Sequence, residues 1–243
     1  EKIPRITRAQ SMDVLSSQAN IAGYKAAIEA MSVYERVIPL MMTAAGTIRP
    51  ARALILGAGV AGLQAIATVK RMGAKVSAFD VRRTAKEQVE SLGAIFVEVD
   101  EGSENGESSG GYAKEMSEDY KKKQAEKLSE VIKQADIVIT TAQIPGKPAP
   151  RLVTKEMVQS MPSGSVIIDM AVETGGNCEL SEKDKIVEVQ DVKIIGYSDF
   201  AARVPNDSSR LFARNVFNFV SLMTKGDSLD TSDEIIQATL IKC

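Results

Sequence analysis

Apolar and polar positions alternate along this chain in two rhythms. Short solid apolar runs recur at Ala53–Leu56, within Asp136–Thr140, within Ser165–Met170 and within Lys193–Gly196, each bounded by charge, glycine or a polar residue. That length and those boundaries suit buried strands. Lys75–Phe79 reads as a further strand and Phe96-Val97 as a short one. Between them, apolar residues recur every three or four positions, as helices require. Leu63, Ile66 and Val69 share one face of a helix that Gly73 ends. Thr84–Leu92 reads as a helix ended by Gly93, and Met116–Gln134 as a charged helix with Tyr120, Leu128, Val131 and Ile132 inward. Lys155–Met161 is a short helix, and Asp207 or Ser208 caps another running to about Leu222. At the start, Ser11 is placed to cap a helix to about Val37, and Met41–Pro50 reads as a loop into the first strand. The tail Asp230–Cys243 offers a helical face of Ile235, Ile236 and Leu240.

Strands alternating with helices imply an α/β fold, with a Rossmann-type doubly wound parallel sheet and right-handed crossovers. The first and last helices fall outside that unit and are expected to bridge to other chain or to a partner.

The stretch Ala51–Asp80 organises the rest. Its first strand runs into Gly57-Ala58-Gly59-Val60-Ala61-Gly62, a GxGxxG. Gly57 permits the tight turn, Gly59 lets a pyrophosphate approach the backbone, and Gly62 allows close helix–strand packing. The helix that follows presents free N–H groups and a positive dipole end to the phosphates. Asp80 closes the second strand 21 residues after Gly59, where a carboxylate accepts both ribose hydroxyls of an adenosine and repels a 2′-phosphate. NAD(H) is favoured over NADP(H) on that ground, with Arg82 and Arg83 pulling the other way. Val81 and Arg82 are candidate cofactor contacts beside Asp80. Thr141, Ala142 and Gln143 are others, at the carboxyl end of the fourth strand, where open parallel sheets bind ligands.

Composition narrows the chemistry. The chain has 243 residues, ordinary globular content and a net charge of -2, which gives no electrostatic case for nucleic acid. Its longest mainly apolar stretch is short for a membrane span and holds the glycine turn. Cys178 and Cys243 match no metal or redox spacing, and no metal site is expected. Histidine is absent, which removes the commonest general base. The segment Asp100–Tyr112, DEGSENGESSGGY, is a loop by composition, and its closing Gly111 and Tyr112 suit either a surface loop or a lid over a ligand.

Several stretches together resemble the NAD(H)-binding component, domain I of the alpha subunit, of proton-translocating NAD(P) transhydrogenase. They are PRITRAQSMDVLSSQANIAGYKA, MMTAAGTIRPARALILGAGVAGLQAIATVKRMGA, KEQVESLGA, GGYAKEM, TTAQIPGKPAP, SVIIDMAVETGGN and the RVPNDSS region, which span nearly the whole chain. The resemblance implies hydride transfer from NADH to NADP+ held on a separate component, coupled to proton movement through a membrane-spanning component. It implies a homodimer, no membrane insertion by this chain, and a place on the cytoplasmic face of a bacterial inner membrane or the matrix face of the mitochondrial one. It also assigns residues. Arg5, Gln10 and Asp13 match a loop over the nicotinamide that contacts the partner component, and Ser16 helps hold the carboxamide. From spacing alone those three charged and amide residues read as a solvated helix entry. Gly57, Gly59, Val60, Gly62 and Asp80 match the adenosine and pyrophosphate site, and Tyr112 matches the tyrosine of a mobile loop.

The family carries a preceding domain-sized stretch that is absent here. The expected organisation is therefore a linker over 1–15 from a missing first domain, an NAD(H)-binding Rossmann domain over 16–206, and a C-terminal helix over 207–243 returning to the first domain. The nearest rival is an alanine dehydrogenase-like amino-acid dehydrogenase. Glu173 in AVETGG, where alanine dehydrogenases carry Asp, and the Arg5–Gln10–Asp13 loop favour transhydrogenase. A non-catalytic NAD-sensing module is the rival of another class.

Overall fold

The structure, a computed structural model, describes residues 2–99, 106, 114–144, 146–225, 228–229 and 231–240. In chain order, a 3₁₀ turn over Thr7–Met12 leads into α1 (Val14–Val33), then β1 (Met41–Thr43), β2 (Gly46–Ile48), β3 (Arg52–Leu56), α2 (Val60–Arg71) and β4 (Lys75–Phe79). There follow α3 (Thr84–Ser91), β5 (Ile95–Phe96), α4 (Glu118–Ile132), β6 (Ile137–Thr140), α5 (Lys155–Gln159) and β7 (Val166–Asp169). The chain goes on through β8 (Ile186–Val189), β9 (Val192–Ile195), α6 (Pro205–Met223), β10 (Thr224–Lys225), β11 (Ser228–Leu229) and α7 (Glu234–Thr239).

Among the described residues the main sheet has seven strands in the order β5-β4-β3-β6-β7-β9-β8. From β5 across to β9 every neighbouring pair is parallel, with β3 at the point where the order reverses. The central strands are buried along nearly their whole length, because each has an apolar layer on both faces. One layer joins Ile55, Ile139 and Ile168 to Ala65, Ile66 and Val69 of α2 and to Ala26, Ala27 and Ala30 of α1. The other joins Leu54, Val138 and Ile167 to Tyr120, Leu128 and Ile132 of α4 and to Met157 and Val158 of α5.

Several expectations need correction. The sheet is mixed: β8 runs antiparallel to β9, with no helix between them. Its two-residue turn, Gln190-Asp191, holds both residues at positive φ, 50° and 61°, the conformation that matches the twist of paired strands. The segment Met41–Pro50 is not a plain loop, since β1 and β2 pair as an exposed antiparallel hairpin. Helix α1 is capped by Asp13, not Ser11: its carboxylate accepts from the N–H of Ser16 at 3.0 Å. It ends at Val33, short of Val37. Helix α6 starts at Pro205, ahead of Asp207 and Ser208, because the fixed φ of proline suits the first helical position. Of the tail face, Ile235 and Ile236 are buried but Leu240 is 44% exposed.

Helix α1, expected outside the Rossmann unit, lies along α2 as part of the main core. Gly23 makes this contact possible: a Cβ there would lie 2.0 Å from the carbonyl oxygen of Ala61. Helix α6 in turn rests on α1, where Ser17 Oγ donates to Asn215 Oδ1 at 2.6 Å and Gln18 Nε2 to the Ser208 carbonyl at 3.2 Å. At the amino ends of the strands, Asp136 is sealed by Arg49, whose two guanidinium nitrogens reach its two oxygens at 2.7 and 2.8 Å. The N–H of Arg52 adds a bond at 2.8 Å. Burial alone would raise the Asp136 carboxyl; the bonds from Arg49, Arg52 and Tyr34 hold it below the usual carboxylate range.

Candidate functional site

At the carboxyl ends of the strands a cavity of about 840 Å³ opens across the reversal point. Its inner wall is the turn between β3 and α2. Gly57 sits at φ +100°, a left-handed conformation that only glycine takes without strain. A Cβ on Gly62 would lie 1.8 Å from the Gly57 carbonyl oxygen, so turn and helix are pressed together as the motif predicts. A Cβ on Gly59 would meet nothing nearer than Arg82 Nη2 at 3.9 Å. That open approach, with Gly59 as the N-cap of α2 and no side chain on its first N–H groups, is a cradle for a phosphate.

Asp80 stands beside the turn, 9% exposed. Its Oδ2 accepts from the N–H of Ala58 at 2.7 Å, which ties the end of β4 to the glycine turn. Its Oδ1 accepts from the Arg82 N–H at 2.8 Å and Nε at 2.9 Å, and Arg82 Nη2 reaches Oδ2 at 2.8 Å. The carboxylate expected to face a ribose is thus clasped by the neighbouring guanidinium. A ribose there must share Asp80 with Arg82 or displace it.

The opposite wall follows β6. Thr141 Oγ1 donates to the Gly57 carbonyl at 3.0 Å, bridging the two sides of the crevice. The next residue is held by a group that the sequence reading missed. Asn177 is fully buried, its Oδ1 accepts from the N–H of Ala142 at 3.0 Å, and its Nδ2 donates to the carbonyls of Ala142 and Pro150 at 2.9 and 2.8 Å. It bolts the loop after β6 to the loop after β7. Asp169, at the end of β7 and also fully buried, accepts from Thr140 Oγ1, Ala171 N, Cys178 N and Ser181 Oγ at 2.6–3.2 Å. Asparagine in a glycine-bearing loop carries no local signal for such a role. Burial pushes the Cys178 thiol up to about 11, so it is a packed, unreactive group at neutral pH.

Of the residues singled out from the sequence, the structure gathers Gly57, Gly59, Val60, Asp80, Val81, Arg82, Thr141, Ala142 and Gln143 around the cavity, with Arg5 and Ser16 also on its lining. Gly62 lies behind it. Gln10 and Asp13 do not line it: Gln10 is exposed in the 3₁₀ turn, and Asp13 is spent on capping α1 and accepting from Ser16 Oγ. Gly111 and Tyr112 lie outside the described residues. In their loop Gly106 is described, and its N–H donates to the Val81 carbonyl at 3.0 Å. Among the described residues no group of three or more acidic, cysteine or histidine side chains could hold a metal, and no helix is long and apolar enough to cross a membrane. The chemistry on offer is therefore that of holding and orienting: a phosphate cradle, a paired carboxylate, and amide and hydroxyl groups.

Comparison with known proteins agrees with this geometry. The family model of the alanine dehydrogenase/PNT C-terminal domain matches residues 26–243. The first of the separately encoded pieces of NAD(P) transhydrogenase subunit alpha in Rhodospirillum rubrum is 55% identical over 246 residues, covering 99% of this chain and 64% of the relative. The crystal structure of transhydrogenase from Sinorhizobium meliloti superposes with a TM-score of 0.87 at 53% identity, over 98% of this chain and 64% of that one. Alanine dehydrogenase 1 of Staphylococcus aureus is 38% identical over 99 residues, 39% of this chain and 27% of its own. The chain thus spans about two thirds of the length of these two transhydrogenase relatives, and its resemblance to them exceeds that to alanine dehydrogenase in both extent and identity. With its doubly wound sheet and glycine turn, the chain belongs to the alanine dehydrogenase/PNT C-terminal domain family.

Proposed function

We propose that this chain is the NAD(H)-holding part of a proton-translocating NAD(P) transhydrogenase. The observation that carries the proposal is the continuity of the cavity, which runs from Gly57, Gly59 and Asp80 past Thr141–Gln143 to Arg5 and Ser16. That is the extended shape a dinucleotide needs. The residues present fit the cofactor: the open approach at Gly59 and the uncapped start of α2 suit a pyrophosphate, and Asp80 suits a ribose. When bound, a reduced nicotinamide supplies the hydride.

The chain's own contribution is orientation and exclusion of water. Transfer between two nicotinamides takes no proton from the substrate, so the absence of histidine is no obstacle. Ser16 Oγ and Arg5 are placed at the mouth to hold a carboxamide. Gln10 and Asp13, on the same segment but off the cavity, are assigned to the face that meets an NADP(H)-binding component. Tyr112 is assigned to a lid over the bound nucleotide. Coupling to proton movement belongs to a membrane-spanning component, and the chain works as a dimer at the cytoplasmic or matrix face of that membrane.

Calorimetry with NADH and NADPH tests the first half of this reading: NADH binds and NADPH binds at least about tenfold more weakly, since a 2′-phosphate meets Asp80. Equal affinities would sink it. Stopped-flow single turnover with an added NADP(H)-binding component tests the second half. Ser16→Ala should slow hydride transfer about tenfold with little change in NADH affinity; an unchanged rate removes Ser16 and the mouth from the mechanism.

A further inference from the structure

Helix α4 carries a polar side chain that the fold's own hydrogen bonds leave unused. Gln124 is 7% exposed and lines the cavity, and among the described residues no group bonds its amide. Every described side-chain nitrogen or oxygen that is sealed from solvent has a partner. The Gln124 amide is therefore not sealed; it meets the cavity space. Covering an unpartnered amide costs about 1–3 kcal/mol, so an occupant of this end must supply both a donor and an acceptor.

The place in the fold identifies the occupant. Tyr120 and Leu128, one turn to either side of Gln124 on the same helical face, pack with Phe79 and Val81, the two residues that flank Asp80. Burial first, and then the field of the Asp80 carboxylate, push the Tyr120 phenol above its ordinary value, which places this face within electrostatic reach of Asp80. Around Gln124 the cavity is lined by Phe79, Val81, Met116, Ala125 and Leu128, all apolar. An apolar slot beside a ribose-binding carboxylate, with one amide in its wall, has the chemistry of a nucleobase site. The base is joined to that ribose by a single bond, so on the NAD(H) reading, on which this inference rests, it has little other place to go.

A glutamine amide pairs with the N6 and N7 edge of adenine in a bidentate fashion. A 6-oxopurine presents two acceptors on that edge and meets the amide carbonyl with its own oxygen. We propose that Gln124 reads the base of the bound dinucleotide, accepting from the 6-amino group through Oε1 and donating from Nε2 to N7. The site is thereby selective for a 6-aminopurine over a 6-oxopurine.

Calorimetry of the protein with NADH and with its reduced hypoxanthine analogue tests this. The wild type should bind NADH about tenfold more tightly than the analogue. Gln124→Leu should lose that factor for NADH alone, leaving the two dinucleotides nearly equal. Gln124→Met, which keeps the length without the amide, serves if the leucine variant melts early. A variant that binds NADH as the wild type does, or that weakens both dinucleotides alike, overturns the proposal. So does a wild type that binds both equally well. A wild type that binds neither overturns the NAD(H) reading itself, and this one with it.

Discussion

Asp80 and Asp169 both stand at the carboxyl ends of strands of one sheet, and both are buried, yet their surroundings differ in kind. Asp169 is saturated by neutral groups of the fold itself: two backbone N–H groups and two hydroxyls. Asp80 takes one backbone bond from Ala58 and three further bonds from the single residue Arg82, two of them from its guanidinium. A carboxylate satisfied by groups drawn from separate segments cannot release its partners without unfolding them. A carboxylate held largely by one long side chain can exchange that side chain for another partner at small cost. The first builds the site and the second serves it.

The largest expected effect tests the structural side of this contrast. Asp169→Asn should destabilise the protein by about 3 kcal/mol, because the new NH₂ group must face a buried donor. For a chain of this size that lowers the melting temperature by roughly 6–12 °C. The affinity of the folded protein for NADH should change less than about threefold. If the variant melts normally and binds poorly, the two roles are reversed.

Asp136 sharpens the comparison, since it too pairs with an arginine but at the opposite end of the sheet, away from the cavity. A paired guanidinium therefore marks a ligand carboxylate only at the carboxyl ends. Arg49→Met should cost about 2 kcal/mol at pH 7, below the full value for a buried pair because Arg49 is half exposed. The folded Asp136 carboxyl lies below its ordinary value, so the wild type holds this contribution above about pH 4 and loses it as pH falls through the folded value. Denaturant melts of the two proteins should differ most at neutral pH and converge towards about pH 3. A gap that persists at low pH would show that Arg49 acts by packing.

The smallest effect falls on Asp80 itself. Asp80→Asn should weaken NADH about tenfold, as an amide accepts only one good ribose bond, while stability changes by under about 1 kcal/mol. Matched melting and calorimetry on this variant and on Asp169→Asn would separate the two carboxylates or merge them.

What was legible in the sequence was whatever rested on local chemistry. Strand β3, the glycine turn, α2, β4 and Asp80 were readable in order, because strand burial, left-handed φ and helix period are written within thirty or so residues. The hairpin of β8 was not. Its turn, Gln190-Asp191, holds positive φ without glycine or asparagine, and its half-exposed strand lies in a charged stretch, so neither signal stands out. The site shows the same division. The glycines and Asp80 could be named from their motif, whereas Asn177 and Asp169 act through groups distant in sequence or on other elements. Gln124 sits in Lys-Lys-Lys-Gln-Ala-Glu-Lys, which reads as a solvated helix face until α4 is laid against the end of β4.

The crossing at Gly23 has a consequence for how variation in this chain would be felt. Ala61 lies in the first turn of α2, so the backbone that touches Gly23 is the backbone that shapes the phosphate cradle. A single methyl group at position 23 could be accommodated only by pushing α1 and the start of α2 apart. That displacement would reach the pyrophosphate end through α2 and the mouth through Ser16 on α1. A change far from any ligand atom would then alter both ends of the dinucleotide at once, like a spacer slipped between the jaws of a vice.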